Sequence, residues 1–429
     1  MKPRDMALPV SSLVGLVDRA TPQAVSGNDR DFTGSHSKIG HRNAVLQILF
    51  SERRALQGEI LSMSSMTGMP KVTVAAMVYA RRKVSPAFME GLFRAHAGRF
   101  EREYGPLLKR FCGWRVLAVD GSRFKVPTRL KNIDDYACEK DGCHIGEISE
   151  LHDVLNGHCL DMRFSRKGDE HSMAMEHVGC LRESPKGKTI VVFDRGYPSH
   201  RLMLAMEDAG LKYVIRLPSY FFAKERKSMG EKDDATFVRR FTGKDTKNLA
   251  AGAETRERLI SCPQTYRLVR LAFGGTEECL ATNLTEKEMP KERMGELYHL
   301  RWDEETGFRH GKQRNLFDAF TGRKYEKGLL RDLWAAEIMR NAVFMTMFIA
   351  GPLLEGMQRM HAMKANYANT LRSLTQGGIA RAAVNRKRVT REMLAQLERE
   401  IKRDAIPIRP GRTYERKTVG TSRMDAYKR

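Results

Sequence analysis

The residues with the clearest chemical potential are two aspartates, each of which follows a short, strongly apolar segment. Asp120 follows residues 115–119 and Asp194 follows residues 189–193, and both segments predict buried β-strands. A carboxylate that emerges from a buried strand is held rigidly, which suits metal coordination. Because a single aspartate at such a position is more often a turn or cap residue, a metal site needs a third acid.

A third acid with suitable neighbours lies in a predicted helix over residues 296–314. One face of this helix carries four functional side chains: Tyr298, Arg301, Glu305 and Lys312. At about 100° per residue, their directions fall within a sector about 60° wide. A phenol, a guanidinium and an ammonium beside a carboxylate suit a metal-bound phosphodiester and its flanking phosphates. The alternative is a solvated helix face with spaced ion pairs.

Two neighbours of this face need separate interpretations. Glu304 points about 100° away from Glu305, so Glu305 is the acid that shares this face with Tyr298, Arg301 and Lys312. Trp302 follows Arg301 and is a candidate for stacking on a displaced DNA base, although an aromatic residue on a helix beside a core more often serves packing.

These motifs resemble the signature of the DDE transposases of bacterial insertion sequences, in the group named for its Tyr-Arg-Glu-Lys motif. Three segments carry the resemblance: VLAVDGS at 116–122, VVFDRGY at 191–197 and LYHLRWDEETGFRHGK at 297–312. The similarity extends over residues 70–415. The sequence departs from the usual pattern at Glu304 and at 306–308, which flank the third acid.

The resemblance implies a two-metal phosphoryl-transfer enzyme. Asp120, Asp194 and Glu305 would hold two Mg²⁺ or Mn²⁺ ions at one phosphodiester. Water would cut the transposon end, and the freed 3′-hydroxyl would attack the opposite strand or target DNA. A hairpin intermediate is implied for many members of the group.

The same resemblance implies roles for the other motif residues and for partners. Arg301 and Lys312 would contact phosphates, and Tyr298 would contact a phosphate or position a hairpin. The expected partners are double-stranded DNA, both inverted-repeat ends and target, and a second copy of the chain in a homodimer.

The charge of the chain independently favours a polyanionic partner. Its 429 residues include 75 Lys or Arg and 52 Asp or Glu, a net charge of +23. Residues 1–110 carry +8 and residues 381–429 carry +9, as expected for nucleic-acid arms, although solvated basic tails look the same. Candidate DNA contacts in a region compatible with a helix-turn-helix are Arg81, Arg82 and Lys83.

The predicted fold class is α/β, with an RNase H-like core implied by the resemblance, in which helices flank a mixed sheet. We expect five regions: a helical DNA-binding region at 1–110, with 1–40 mostly loop; the first part of the core at 111–217; a β-rich insertion at 218–285; the rest of the core with the Glu305 helix at 286–350; and a basic helical C-terminal region at 351–429. Asp169 and Glu170 read as N-terminal caps of a helix.

Several classes are disfavoured. No apolar run reaches the roughly 20 residues that a bilayer span needs, and no signal-peptide core is present, so we expect no membrane partner and a cytoplasmic, nucleoid-associated bacterial protein.

Two other functions remain open. The first is a catalytically decayed, repressor-like DNA-binding protein, which the intact acids disfavour. The second is a metal-dependent, structure-specific nuclease that cuts without joining.

Overall fold

The computed structural model describes residues 3–28, 30–33, 39–52, 55–182, 188–247, 252–273, 276–301, 324–357 and 359–408. Trp302, Glu305 and Lys312 therefore lie outside the described residues. The chain divides into two compact units. The sheet unit comprises Tyr104–Val126 and Asp134–Phe308, and the helical unit comprises Met1–Glu103, Pro127–Ile133 and Arg309–Arg429.

Helices and strands are numbered here in chain order within the described residues. The helices are α1 (Leu8–Arg19), α2 (Pro22–Ser26), α3 (Arg30–Thr33), α4 (His41–Leu49), α5 (Leu56–Thr67), α6 (Val74–Lys83), α7 (Pro86–Tyr104), α8 (Glu170–Arg182), α9 (His200–Asp208), α10 (Ala223–Ser228), α11 (Gly243–Thr246), α12 (Ala253–Ser261), α13 (Lys291–His299), α14 (Glu326–Glu355), α15 (Tyr367–Gln376), α16 (Gly378–Val384) and α17 (Arg391–Arg403). The strands are β1 (Arg115–Lys125), β2 (Ala137–Cys138), β3 (His144–Asp153), β4 (Cys159–Ser165), β5 (Thr189–Phe193), β6 (Lys212–Arg216), β7 (Asp234–Arg239), β8 (Gln264–Phe273), β9 (Thr276–Thr282), β10 (Met363–Lys364) and β11 (Ile406–Pro407). Short 3₁₀ helices occupy Pro3–Ala7, Gly105–Leu107 and Ile133–Asp135.

The centre of the sheet unit is a mixed sheet with the strand order β4-β3-β1-β5-β6. β3 pairs antiparallel with both β1 and β4, whereas β5 is parallel to β1 and β6 is parallel to β5. α8 and α9 form the crossovers into β5 and β6, which parallel neighbours require. This arrangement confirms the predicted RNase H-like core.

The region predicted to be a β-rich insertion continues the same sheet. β9 pairs antiparallel with β6, β8 pairs with β9, and β7 pairs with β8 at the far edge. Arg267 of β8 is buried and links β7 to the segment that follows the insertion, through contacts with Asp234 and Met289. Its guanidinium pairs with Asp234 at 2.6 Å and donates to the Met289 carbonyl at 2.7 Å.

Alternation along the strands builds a core on each side of the sheet. On β1, Leu117 and Val119 belong to the cluster that includes residues of α8 and α9. Val116 and Ala118 belong to the opposite cluster, which includes Leu297 and other residues of α13. The sheet is therefore covered on both faces, and its central strands read as continuous apolar runs.

The helical unit is organised around α14, a 30-residue helix whose central part is buried. We predicted residues 286–350 as part of the catalytic core, but the structure groups α14 with the N-terminal and C-terminal helices. By length and composition alone, α14 could cross a membrane. However, 83% of its most apolar 18-residue segment is buried inside the structure, as in a core helix.

Candidate catalytic site

The pairing of two parallel strands places Asp120 and Asp194 side by side. β1 and β5 pair in register up to Val119 and Phe193, and each aspartate is the next residue of its chain segment. Because neighbouring strands lie about 4.8 Å apart, the two backbones arrive together at one end of the sheet. The side chains are 23% and 32% exposed, so both carboxylates are accessible from solvent.

One local prediction was wrong. The strand predicted over residues 115–119 was expected to end before Asp120. β1 instead runs without interruption from Arg115 to Lys125, and Gly121 pairs with Ser149 of β3. Antiparallel pairing with the long β3 keeps the backbone extended through the glycine, whereas Asp194 does follow the last residue of β5.

The alternation of side chains explains which face the aspartates occupy. Asp120 follows the phase of Val116 and Ala118, and Asp194 follows that of Val192. These apolar residues pack in the cluster that contains Tyr298 of α13. The acidic pair therefore shares a face of the sheet with the residues of the predicted third motif.

Tyr298 contacts one aspartate directly. Its hydroxyl donates to Oδ1 of Asp194 at 3.2 Å. Burial, together with the Asp194 charge and against the opposing effect of Arg301, raises the pKa of Tyr298 to about 12. The phenol therefore remains protonated near neutral pH and orients the Asp194 carboxylate.

Arg301 reaches both aspartates. Nη1 lies 3.8 Å from Oδ2 of Asp120, Nη2 lies 4.0 Å from Oδ2 of Asp194, and the side chain is only 5% exposed. Its guanidinium carbon is 5.8 Å from the centre of the Tyr298 ring. These distances exceed those of hydrogen bonds, so Arg301 acts on the aspartates mainly through its charge.

Arg216, the last residue of β6, contributes a second guanidinium. Nη1 lies 3.9 Å from Oδ1 of Asp194, while Nη2 pairs with Glu278 of β9 at 2.5 Å. The close Glu278 contact offsets part of this positive charge. The insertion thus helps to set the charge balance of the site, because Glu278 lies on one of its strands.

A second acidic pair lies next to Gly121, on the face of β1 opposite to Asp120, and sequence reasoning missed its role. Glu147 of β3 and Glu170, the first residue of α8, are hydrogen bonded to each other. A methyl group at Gly121 would lie 3.0 Å from Oε1 of Glu147 and 3.2 Å from Oε1 of Glu170, and one at Gly196 would lie 3.3 Å from Oε2 of Glu170. Both glycines therefore make room for carboxylates.

Glu170 was predicted only as a helix cap. Its neighbour Asp169 does cap α8, since its Oδ1 accepts from the Ser172 N–H at 2.9 Å. The partner of Glu170 lies on another element, Glu147 of β3, so no spacing in the sequence relates the two acids.

The shared proton of this pair makes stability depend on pH. Burial, with the hydrogen bond and charge of Glu170, raises the pKa of Glu147 to about 7 from an ordinary value of 4.5. Between these values the folded protein retains a proton that the unfolded chain has lost. Glu147 therefore costs stability progressively as the pH rises from about 4.5 to about 7, and the full cost applies above that.

Glu147→Gln is expected to stabilise the protein more at pH 8 than at pH 5, by about 1–2 kcal/mol, because the amide replaces the protonated acid. Urea unfolding at the two pH values measures this difference. Glu292→Gln, at an exposed position on α13, is the matched control. An equal effect of Glu147→Gln at both pH values would contradict the proton-sharing geometry.

The donor set around the aspartates fits a divalent cation. Asp120 and Asp194 offer accessible carboxylate oxygens, the ligands that Mg²⁺ and Mn²⁺ prefer. Among the described residues, Arg216 and Arg301 lie within 4.0 Å of these carboxylates, and Arg216 also pairs with Glu278. The three carboxylates of this cluster outnumber its two guanidinium groups, and the excess negative charge favours cation binding.

The predicted DNA contacts near the N-terminus lie in the helical unit, where they occupy different environments. Arg81 has a side chain only 4% exposed, and its Nη2 pairs with Oδ1 of the buried Asp332 at 3.3 Å. This burial supports a structural role for Arg81 rather than a phosphate contact. Arg82 is exposed over the Tyr325 ring, and Lys83 is half-buried over the Tyr79 ring.

Arg81→Ala and Arg82→Ala are expected to affect different properties of the protein. Arg81→Ala should lower the free energy of unfolding by about 2–3 kcal/mol, because buried Asp332 loses one of its counter-charges. Arg82→Ala should change stability by less than about 0.5 kcal/mol and, if Arg82 contacts DNA, lower the salt dependence of duplex binding by about one ion. Urea unfolding and fluorescence anisotropy at several salt concentrations measure both. Unchanged stability in Arg81→Ala would refute the structural role.

Comparisons with known proteins identify the family of the chain. The family described as Transposase DDE domain matches residues 113–333, slightly more than half of the 429 residues. The matched segment contains Asp120, Asp194, Tyr298, Arg301 and the position of Glu305.

Individual relatives are more distant. The chain is 24% identical over 299 residues to the transposase InsG for insertion sequence element IS4 of Escherichia coli (strain K12). The alignment covers 67% of this chain and 64% of that protein, so the chain spans just under two thirds of its length. A solved piggyBac transposase synaptic complex with hairpin DNA aligns with a TM-score of 0.46 and 11% identity, over 95% of this chain and 87% of that one. Because the family match spans more than half of its residues, the chain belongs to the transposases with a DDE domain.

Proposed function

We propose that this protein is a DNA transposase that binds the inverted-repeat ends of its own insertion sequence and carries out metal-dependent strand cleavage and strand transfer. The observation that carries the proposal is the in-register pair Asp120 and Asp194, inside the matched transposase segment. Tyr298 and Arg301 of the third predicted motif lie against this pair, which supports the same interpretation.

Within this proposal the residues of the site hold the divalent ions, orient a carboxylate and contact phosphate. Asp120 and Asp194, with Glu305 as the third predicted acid, would hold the divalent ions. Such ions activate an attacking oxygen and stabilise a departing 3′ oxygen when they are bound. The Tyr298 hydroxyl keeps its proton and fixes Oδ1 of Asp194, so the carboxylate is preorganised. Lys312 is the remaining predicted phosphate contact of this motif.

DNA is the proposed partner on electrostatic grounds. A net charge of +23 gives strong, salt-dependent affinity for a phosphate backbone. Cleavage leaves a 3′-hydroxyl that attacks either the opposite strand, which forms a hairpin, or target DNA. Because both ends of the element must be joined in one event, we propose a homodimer as the active assembly.

The test uses the DNA that flanks the coding region. A labelled duplex from each flank is incubated with the protein and Mg²⁺, and cleaved and joined products are separated on a denaturing gel. The proposal expects short inverted repeats in these flanks, metal-dependent nicks at their termini and joined products. A decayed DNA-binding protein would shift the duplex without cutting it, and a structure-specific nuclease would cut without joining. Either result would overturn the proposal.

A further inference from the structure

We propose that Arg301 is a positioning residue that holds the Asp120 and Asp194 carboxylates together before metal binding, and that divalent cations compete with its guanidinium for the same two oxygen atoms. The inference rests on the proposed function, because it takes these aspartates as ligands of a divalent cation.

The geometry assigns one end of the guanidinium to each aspartate. Nη1 faces Oδ2 of Asp120 at 3.8 Å and Nη2 faces Oδ2 of Asp194 at 4.0 Å. Tyr298 occupies Oδ1 of Asp194, so Arg301 faces the oxygen that this phenol leaves available. The planar, forked shape of guanidinium allows one side chain to span two carboxylates, which a lysine ammonium would not do equally well.

The burial of Arg301 makes it depend on these two acids. Its side chain is 5% exposed, and a buried cation needs compensating negative charge. In the part of the chain that the structure describes, the carboxylates within 4.0 Å of Arg301 are those of Asp120 and Asp194. The charge that stabilises Arg301 is therefore the same charge that would bind a cation.

Competition follows from this shared charge. A cation at Asp120 and Asp194 would be repelled by the adjacent guanidinium and would also remove the negative charge that keeps Arg301 in place. The coupling is reciprocal. The guanidinium contact weakens cation binding by the same free energy by which a bound cation weakens the guanidinium contact. Once displaced from the aspartates, the guanidinium would be available for a phosphate, which it binds through paired, charge-assisted hydrogen bonds.

The test measures metal binding rather than catalysis. Mn²⁺ is titrated into the full chain without DNA, and the free-ion signal is followed by electron paramagnetic resonance. We expect Arg301→Gln to bind Mn²⁺ about tenfold more tightly than wild type, which corresponds to about 1.4 kcal/mol. Arg293→Gln is the matched control, because Arg293 lies on α13, is 46% exposed and pairs with Glu296. It should stay within about twofold of wild type, the range expected for a surface charge.

A second variant covers the case in which Arg301→Gln does not fold. Arg301→Lys keeps the charge but loses the two-pronged contact, and we expect it to bind Mn²⁺ about two- to fourfold more tightly than wild type. For either folded variant, Mn²⁺ affinity equal to or weaker than wild type would overturn the inference.

The aspartates separate this failure from failure of the proposed function. Asp120→Asn should greatly weaken Mn²⁺ binding. If it does so while the Arg301 variants behave like wild type, the metal site stands and the competition is refuted. If Asp120→Asn and Asp194→Asn both bind Mn²⁺ like wild type, the metal assignment fails, and the inference fails with it.

Discussion

Asp120→Asn is expected to reduce strand cleavage by a factor of at least about 1,000, roughly 4 kcal/mol of activation free energy, while duplex binding persists. The amide has the same shape as the carboxylate, but its neutral oxygen is a poor ligand for a divalent cation. Because Asp120 is 23% exposed and Asp194 remains beside the buried Arg301, the fold should persist, and urea unfolding of the variant checks this. Cleavage of an end-containing duplex in Mg²⁺ measures the loss, and anisotropy measures DNA binding.

The control for this experiment is another aspartate with similar exposure and an ion-pair partner. Asp208, at the end of α9, is 31% exposed and pairs with Arg258 at 2.7 Å. Asp208→Asn should leave cleavage within about twofold of wild type, as is usual for surface substitutions. Asp194→Asn should match Asp120→Asn, because the two residues occupy equivalent positions on paired strands. Substantial cleavage by Asp120→Asn would remove this aspartate from the catalytic set.

Glu305→Gln is expected to abolish cleavage to the same extent, whereas Glu304→Gln should retain activity. The two neighbouring acids differ by about 100° in direction on a helix, so only Glu305 shares a face with Tyr298 and Arg301. Both acids lie outside the described residues, and the prediction therefore rests on the sequence pattern.

Each Glu variant serves as the control of the other, since both remove one negative charge from the same segment. Single-turnover cleavage of the flank-derived duplex provides the measurement. Activity in both variants would exclude Glu305 as the catalytic acid. Loss of activity only in Glu304→Gln would show that the helical phase is different from the one predicted.

Each aspartate could be predicted as a strand-borne carboxylate because the apolar run before it is local. The continuation of β1 to Lys125 and its pairing with β5, which bring the two aspartates together, depend on the tertiary fold. The spacing of Tyr298 and Arg301 likewise predicted a shared face, and the structure brings both side chains to the aspartates. In each case one element carries enough periodicity to fix the direction of a side chain.

The features that sequence reasoning missed depend on contacts between distant elements. Glu147 and Glu170 come together only through the packing of β3 and α8 at one end of the sheet. Arg81 belongs to a basic run that is typical of a solvated surface, yet its partner Asp332 lies in another helix far along the chain. No local pattern reports such partners, because burial of a charge is decided by tertiary structure.

The pairing of β6 with β9 also bears on self-association. An unpaired strand edge exposes a row of backbone N–H and C=O groups that can recruit other chains into aggregates. Here the outer edge belongs instead to β7, a strand of only six residues that begins at Asp234 and ends at Arg239, both in ion pairs. Short length and terminal charges are features that discourage edge-to-edge association. Removal of the insertion would expose the edge of β6, whose central residues are apolar, and we expect the truncated protein to aggregate more readily.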